Sequence, residues 1–226
     1  MKATNNRAYL RVLVGTAIFA ALAYVVMLVI HIPVQFLTFD AKDAVITVAG
    51  FIYGPVSAVA ISLVVALVEM LSVSGTGPVG FLMNFLSSAV FSGTAALLYK
   101  RFRSPRGAIG SLSVSIVLTT GAMMILNLLV TPLYLGVPVA AVREQLLPLL
   151  LPFNFAKACM NASVAMLLYK PTVTAMRRAG LAVASDRAAA NASTRRPWQG
   201  RVTLWIALAA LALAAVAVTV FVLLRR

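Results

Sequence analysis

Charge, cysteine and histidine are all scarce in this sequence of 226 residues. Charged residues make up 11% of the chain, against about a quarter in an average soluble domain, which leaves too few to cover a water-soluble surface. The single cysteine, Cys159, excludes an intrachain disulfide framework and a CxxC metal site. The single histidine, His31, excludes a multi-histidine metal site. These shortages argue against a cytosolic globular enzyme.

Apolar residues are abundant instead, at 62% of the chain with a mean hydropathy of +1.00. A membrane-spanning helix needs about 20 mostly apolar residues. Apolar runs fall at 9–30, 44–73, 79–99, 108–131, 149–169 and 202–224. The run 44–73 is too long for one straight helix. Gly54-Pro55 divides it into a shorter helix ending at Tyr53 and a full one starting at Pro55, because proline suits a helix start but not its interior. The sequence therefore predicts an all-α integral membrane protein with seven transmembrane helices.

The basic residues indicate the orientation of these helices. The net charge of +14 comes from 19 basic and five acidic residues. Most basic residues fall on one side: Lys2, Arg7 and Arg11, then Lys100, Arg101, Arg103 and Arg106, then Lys170, Arg177, Arg178, Arg187, Arg195, Arg196 and Arg201. The other side has Lys42, Arg143, Arg225 and Arg226. By the positive-inside rule we expect a cytoplasmic N-terminus, so the charge indicates topology rather than a nucleic-acid partner.

A change in composition divides the chain into three parts. Residues 171–201 are polar and rich in Ala, Ser and Arg, with few large apolar side chains, as is typical of a flexible linker. We therefore predict a six-helix substrate-binding membrane domain over 1–176, a basic cytoplasmic linker over 177–201, and an additional C-terminal transmembrane helix over 202–226. This last helix carries no buried polar group and is interpreted as an anchor or a packing surface.

Polar side chains inside the predicted helices are the candidate functional residues, because burying them in a bilayer costs free energy. Lys157 shares one helix face with Asn154 and Asn161, at i, i+3 and i+7. Asn84 and Asn127 lie near the outer ends of two other helices. Amide groups both donate and accept hydrogen bonds, so we expect an outward-facing pocket for a polar, mostly uncharged small molecule.

Several of these polar residues have a purely structural alternative. Isolated Asn and Ser residues often only join helices, and we favour that role for Asn161, Ser87 and Ser88. Glu69, near the outer end of a further helix, either lines the pocket or pairs with Lys157. His31 and Cys159 are interpreted as structural.

Three further segments suggest how a ligand or a partner is recognised. The first external loop, 35–40, mixes aromatic and polar residues, which either stack on a planar ligand or serve as interface aromatics. A charged segment, 40–43, follows it on the outside. The loop 75–80 is rich in glycine but lacks the lysine of a phosphate loop. Ala17 and Ala21 form a small-xxx-small pair that either packs within the bundle or docks a partner helix.

The order and spacing of several short motifs carry a resemblance over about residues 9–170. They are Phe36-Leu37-Thr38-Phe39-Asp40 with Asp43; Gly50-Phe51-Ile52-Tyr53-Gly54-Pro55; Gly77-Pro78-Val79-Gly80 with Asn84-Phe85; Asn127 with Thr131-Pro132-Leu133-Tyr134-Leu135-Gly136; and Leu151-Pro152-Phe153-Asn154 with Lys157 and Asn161. Together they resemble the riboflavin-specific substrate-binding (S) component of energy-coupling-factor (ECF) vitamin transporters, the RibU type.

The resemblance implies a six-helix bundle with the first external loop as a gate over a riboflavin site. Positions that would contact the vitamin are Leu37, Thr38, Phe39, Asp40, Asn84, Asn127, Asn154 and Lys157. Ala17 and Ala21 would meet the transmembrane coupling (T) subunit, and two ATPase (A) subunits would hydrolyse ATP. The chain would then be a multi-pass subunit of the bacterial cell membrane, without catalytic activity, metal or cofactor. Whether flavin mononucleotide also binds stays open.

The sequence has two alternative interpretations besides riboflavin binding. The same architecture could serve another vitamin, such as thiamine or biotin, or a modified base. An intramembrane enzyme would need a nucleophile or metal constellation, and one His, one Cys and Glu69 as the buried acid are too few groups for it.

Overall fold

The computed structural model describes residues 2–179 and 181, which form a helical bundle with one small hairpin. The elements are α1 (Lys2–Val29), β1 (Ile32–Val34), β2 (Leu37–Phe39), α2 (Lys42–Tyr53), α3 (Pro55–Ser72), α4 (Gly77–Arg101), α5 (Pro105–Leu135), α6 (Val139–Gln145), a π-helical segment (Leu146–Leu150) and α7 (Leu151–Arg178). The predicted division of the long apolar run is confirmed: α2 ends before Gly54, whose φ of 98° favours glycine, and Pro55 begins α3.

Helix α2 is the centre of the bundle and contacts α1, α3, α4 and α7. All its residues from Lys42 to Ile52 are buried, which agrees with a sequence that is apolar on every face after the first turn. Gly50 permits close contact with α4, since a Cβ atom there would lie 2.8 Å from the Cβ atom of Ala96. The central position of α2 therefore depends on both its apolar surface and its small residues.

Four helices of the described region, α1, α3, α4 and α5, are long and apolar enough to cross a membrane. Helix α2 has 12 residues and rises about 18 Å, which is too short to span a hydrocarbon core of about 30 Å by itself. Helix α7 has 28 residues but carries Asn154, Lys157 and Asn161, which lower its hydropathy. The chain is thus a multi-pass all-α membrane protein. Helix α2 is the shorter helix that was predicted before Gly54, but it does not span a membrane by itself as its inclusion among seven transmembrane helices implied.

The loop 35–40 is part of an antiparallel hairpin. Ile32 pairs with Phe39 and Val34 with Leu37, and the two-residue turn between the strands has Gln35 in the left-handed region at φ 56°. Each strand has three residues, which is too short for an alternating pattern to indicate it in the sequence.

The charged segment 40–43, expected on the outer side and beyond the predicted helices, is buried in the structure. Asp40, Lys42 and Asp43 are 0%, 1% and 3% exposed, because this segment leads directly into the enclosed helix α2. Asp40 and Lys42 are compensated by one another, by Glu69 on α3 and by Lys157 on α7. Asp43 accepts a hydrogen bond from Ser88 on α4. Among the described residues, Lys42 is thus buried as well as Lys157. Asp40 and Asp43 are buried acids in addition to Glu69.

Helix α7 continues to Arg178, and the Tyr53 hydroxyl donates a hydrogen bond to the carbonyl oxygen of Leu181 at 3.4 Å. The rest of the predicted linker and the additional helix over 202–226 lie outside the described residues. The division into 1–176, 177–201 and 202–226 stays a prediction.

Candidate substrate-binding site

A cavity lies beneath the hairpin, between α3, α4, α5 and α7. Its empty volume is about 890 Å³, including the part that is open to solvent. The polar lining residues are His31, Thr38, Glu69, Ser74, Thr76, Asn84, Ser87, Asn127, Thr131, Asn154 and Lys157. The larger apolar ones are Phe36, Leu37, Val73, Val79, Met83, Met123, Val130, Tyr134 and Phe153. Apolar walls with a few convergent polar groups suit a planar ligand with polar edges.

Most of the predicted ligand contacts meet at this cavity. Its wall includes Leu37, Thr38, Asn84, Asn127, Asn154 and Lys157. Phe39 and Asp40 do not line it: the Phe39 ring packs edge-on against Phe153 at a centroid distance of 5.9 Å, and Asp40 is fully buried behind the wall. That any of these residues contacts a ligand stays a prediction.

The predicted docking pair lies on the outer surface of α1. Ala17 and Ala21 are exposed, whereas Phe19, Ala23 and Met27 form the face of α1 that is buried in the bundle. Packing of Ala17 and Ala21 inside the bundle is therefore excluded for the described residues.

Asn127 and Asn154 are held by hydrogen bonds to groups four residues away in the chain. The Asn127 Nδ2 group donates to the Met123 carbonyl at 2.7 Å, and its Oδ1 accepts from Thr131 Oγ1 at 3.0 Å. The Asn154 Nδ2 group donates to the carbonyl of Leu150, the last residue of the π-helical segment, at 2.7 Å. Each amide keeps unused capacity: a second N–H on Asn127 and an acceptor oxygen on Asn154.

Lys157 connects α7 to the hairpin. Its Nζ atom lies 2.7 Å from Asp40 Oδ2 and donates to the Thr38 carbonyl at 2.9 Å. An ammonium group has three N–H donors, so one remains for a ligand in the cavity. The same side chain can therefore fix the hairpin and contact a ligand.

Glu69 pairs with Lys42, and the alternative in which it pairs with Lys157 is wrong. Glu69 Oε2 lies 2.6 Å from Lys42 Nζ, and Glu69 Oε1 accepts from Asn84 Nδ2 at 2.9 Å. Lys42 Nζ also lies 3.6 Å from Asp40 Oδ2. Lys157 pairs with Asp40 instead, and Glu69 lines the cavity from α3.

The helix-joining role predicted for Asn161 and Ser88 is confirmed. Asn161 Oδ1 accepts from the Ala44 N–H at 2.8 Å, while its Nδ2 donates to the Asp40 carbonyl at 2.9 Å. Ser88 Oγ donates to Asp43 Oδ1 at 2.5 Å. Ser87 instead lies in the cavity wall.

Sequence reasoning missed several residues of the site. His31, interpreted as structural, lies in the cavity wall, and Lys42 and Asp43 belong to the buried polar network. The uniformly apolar sequence that follows Asp43 was the available signal, since a helix without a polar face is enclosed on all sides. Within the described residues, no group of three His, Cys, Asp or Glu is arranged to hold a metal ion.

Comparisons with known proteins identify the family. The model of the family described as "ECF transporter, substrate-specific component" matches residues 11–169. Riboflavin transporter RibU of Staphylococcus aureus (strain TCH60) is 32% identical over 176 residues, covering 74% of this chain and 92% of the relative. Riboflavin transporter FmnP of Bacillus subtilis (strain 168) is 29% identical over 188 residues, covering 74% and 96%. A solved structure described as "Structure and mechanism of the S component of a bacterial ECF transporter" has a TM-score of 0.63 and 30% identity, covering 73% of this chain and 96% of that one. This chain therefore belongs to the substrate-specific (S) component family of ECF transporters.

Proposed function

We propose that this chain captures riboflavin at the outer face of the bacterial cell membrane for ATP-driven uptake. The observation that carries the proposal is the cavity beneath the hairpin, where Asn127, Asn154 and Lys157 converge. Two relatives whose names are riboflavin transporters support this choice of vitamin.

The unused hydrogen-bonding groups of the cavity match the polar edge of a flavin ring. That edge presents an imide N–H between two carbonyl oxygens. Asn154 Oδ1 is available to accept from the imide, while Lys157 Nζ and the second N–H of Asn127 are available to donate to the carbonyl oxygens. Apolar side chains such as Leu37 and Phe153 would cover the faces of the ring system.

The hairpin would act as the gate over this site. It is tied down by the contact of Lys157 with the Thr38 carbonyl and by the packing of Phe39 against Phe153. Lys157 would therefore contact the ligand and also hold the hairpin closed, so that ligand binding and gate closure depend on the same side chain.

Uptake would require partner subunits, since the chain serves as a binding component. The exposed pair Ala17 and Ala21 would dock the transmembrane coupling (T) subunit, because small residues allow close approach of a partner helix. ATP hydrolysis would belong to two ATPase (A) subunits. The N-terminus would be cytoplasmic, with the basic ends of α1, α4 and α7 on the side opposite the cavity.

The visible absorption spectrum of the purified protein tests the proposal. We expect protein made in riboflavin-containing medium to carry the blue absorption of a bound flavin, which chromatographic analysis would identify as riboflavin. Thiamine and biotin should fail to displace it, and an arm with flavin mononucleotide determines whether the phosphate is tolerated. Colourless protein that also fails to quench the fluorescence of added riboflavin would contradict the proposal.

A further inference from the structure

A chain of five side chains connects two lining residues of the cavity, Asn84 and Lys157, through Glu69, which also lines it, and through Lys42 and Asp40 behind the wall. Asn84 bonds Glu69, Glu69 pairs with Lys42, Lys42 lies near Asp40, and Asp40 pairs with Lys157. Glu69, Lys42 and Asp40 are 3%, 1% and 0% exposed. The ion pair of Glu69 and Lys42 is not used by the binding scheme above, yet it contacts Asn84 directly.

Glu69 restricts the orientation of the Asn84 amide. An ionised carboxylate only accepts hydrogen bonds, so Asn84 must turn its nitrogen, not its oxygen, toward Glu69 Oε1. Lys42, at 2.6 Å from Oε2, supplies the compensating charge that a buried carboxylate needs. Among the described residues, Asn84 Oδ1 accepts no hydrogen bond, and Asn84 lines the cavity. Its oxygen is thus the group that remains for a ligand donor.

We infer that Glu69, held by Lys42, is a positioning residue that fixes Asn84 as a hydrogen-bond acceptor and so selects ligands with a hydroxyl donor at that point. The inference rests on the proposed function, in which the imide edge of the flavin lies on α5 and α7. Asn84 lies on α4, a helix that supplies none of the three groups assigned to that edge. The remaining donors of riboflavin that can bond Asn84 Oδ1 are the hydroxyl groups of its ribityl chain.

The experiment compares riboflavin with lumiflavin, which has the same ring system but a methyl group in place of the ribityl chain. Dissociation constants come from fluorescence titration of the purified full chain. In Glu69→Gln, the neutral amide can both donate and accept, so it no longer fixes whether the nitrogen or the oxygen of the Asn84 amide faces residue 69. We expect this variant to bind riboflavin about tenfold more weakly while its lumiflavin affinity changes little, so that the preference for riboflavin falls.

The Asn84→Ala background shows whether Glu69 acts through Asn84. Asn84→Ala should itself lower the preference for riboflavin, and adding Glu69→Gln should not lower it further. Ser62→Ala is the matched control, because Ser62 is a buried polar residue of α3 that bonds only the Ala58 carbonyl within its helix. It should leave the ratio of the two flavin affinities unchanged.

Loss of folding in Glu69→Gln is a separate risk, since Lys42 would keep its charge without its closest partner. The double variant Lys42→Met with Glu69→Gln removes both charges and should show the same fall in flavin preference. Equal weakening of both flavins, or a further fall in preference in the Asn84→Ala background, would overturn the inference. So would a wild-type protein that binds both flavins equally well. A wild-type protein that binds neither flavin would instead contradict the proposed function on which the inference rests.

Discussion

The half of the bundle that contains the cavity and the opposite half are stabilised by different means. Around the cavity, charged and amide side chains are buried, and the apolar cluster there is small, with Phe39, Phe153 and Ala156 at its centre. Toward the opposite end, one continuous apolar core surrounds α2, with the Phe51 ring 4.3 Å from that of Tyr99. Buried ion pairs are sensitive to the loss of either partner, whereas an apolar core responds mainly to lost volume.

This difference predicts which substitutions alter ligand binding and which alter only stability. The network at the cavity holds the hairpin and helices around an open space, so its side chains are available to a ligand. The core around α2 consists of packed rings and small residues, such as Ala95 and Ala96. Four substitutions test this contrast and are given in order of their expected effect on riboflavin affinity.

Lys157→Ala should have the largest effect, weakening riboflavin binding about tenfold or more, because it removes a charged donor from a desolvated site. It also leaves Asp40 with Lys42 at 3.6 Å as its remaining cationic partner. Fluorescence titration measures the change. Lys100→Ala, an exposed lysine at the opposite end of α4, is the control and should bind as wild type. Unchanged affinity in Lys157→Ala would assign Lys157 a purely structural role.

Asn161→Ala should have an intermediate effect, because Asn161 joins the ends of the hairpin and α2 without lining the cavity. Losing two buried hydrogen bonds should cost about 1–3 kcal/mol of stability and weaken riboflavin binding severalfold. Thermal unfolding and titration measure the two effects. Ser163→Ala, two residues along α7, bonds only the Cys159 carbonyl and should alter neither quantity appreciably. A loss of binding as large as that of Lys157→Ala would argue for direct ligand contact.

Phe51→Ala should destabilise the protein strongly and leave its binding site intact. Phe51 is 5% exposed and contacts both Tyr99 and Tyr169, so its removal should cost about 3–5 kcal/mol. At a temperature where the variant is folded, its riboflavin affinity should stay within about twofold of wild type, a change below that of one lost hydrogen bond. A large loss of affinity in folded protein would show that the two halves are not independent.

Ala17→Trp should leave riboflavin affinity unchanged and abolish uptake, because a bulky side chain on the exposed face of α1 obstructs a partner helix. Transport is measured in cells that contain the coupling subunits and depend on external riboflavin. Val117→Trp places the same side chain on another exposed helix face, on α5 at 68% exposure, and should transport normally. Loss of binding as well as uptake in Ala17→Trp would indicate a folding defect instead.

Much of this architecture could be predicted from the sequence because its strongest determinants are local. Proline at the start of α3 and apolar runs of helical length identify the helices without knowledge of their packing. The stripe of Asn154, Lys157 and Asn161 follows directly from helical spacing and faces the interior, as expected. Helix boundaries and candidate polar residues are therefore accessible from the sequence.

The pairing of the buried charges could not be predicted in the same way. Lys42 and Glu69 are 27 residues apart, and Asp40 and Lys157 are 117 apart, so their contacts depend on the packing of α2 against α3 and α7. The segment 40–43 has the composition of a solvated loop and is buried only because its charges find partners elsewhere. A hydropathy profile describes each segment by itself, so it does not show that a charge in one segment is compensated by an opposite charge in a distant segment.

Equilibrium titration of riboflavin fluorescence with wild-type protein and Lys157→Ala tests the central claim most directly. The claim is that the polar network beneath the hairpin forms the vitamin site. We predict saturable quenching by the wild-type protein and an affinity weakened about tenfold or more in the variant. Absence of saturable quenching by the wild-type protein, or equal affinities in the two proteins, would contradict it.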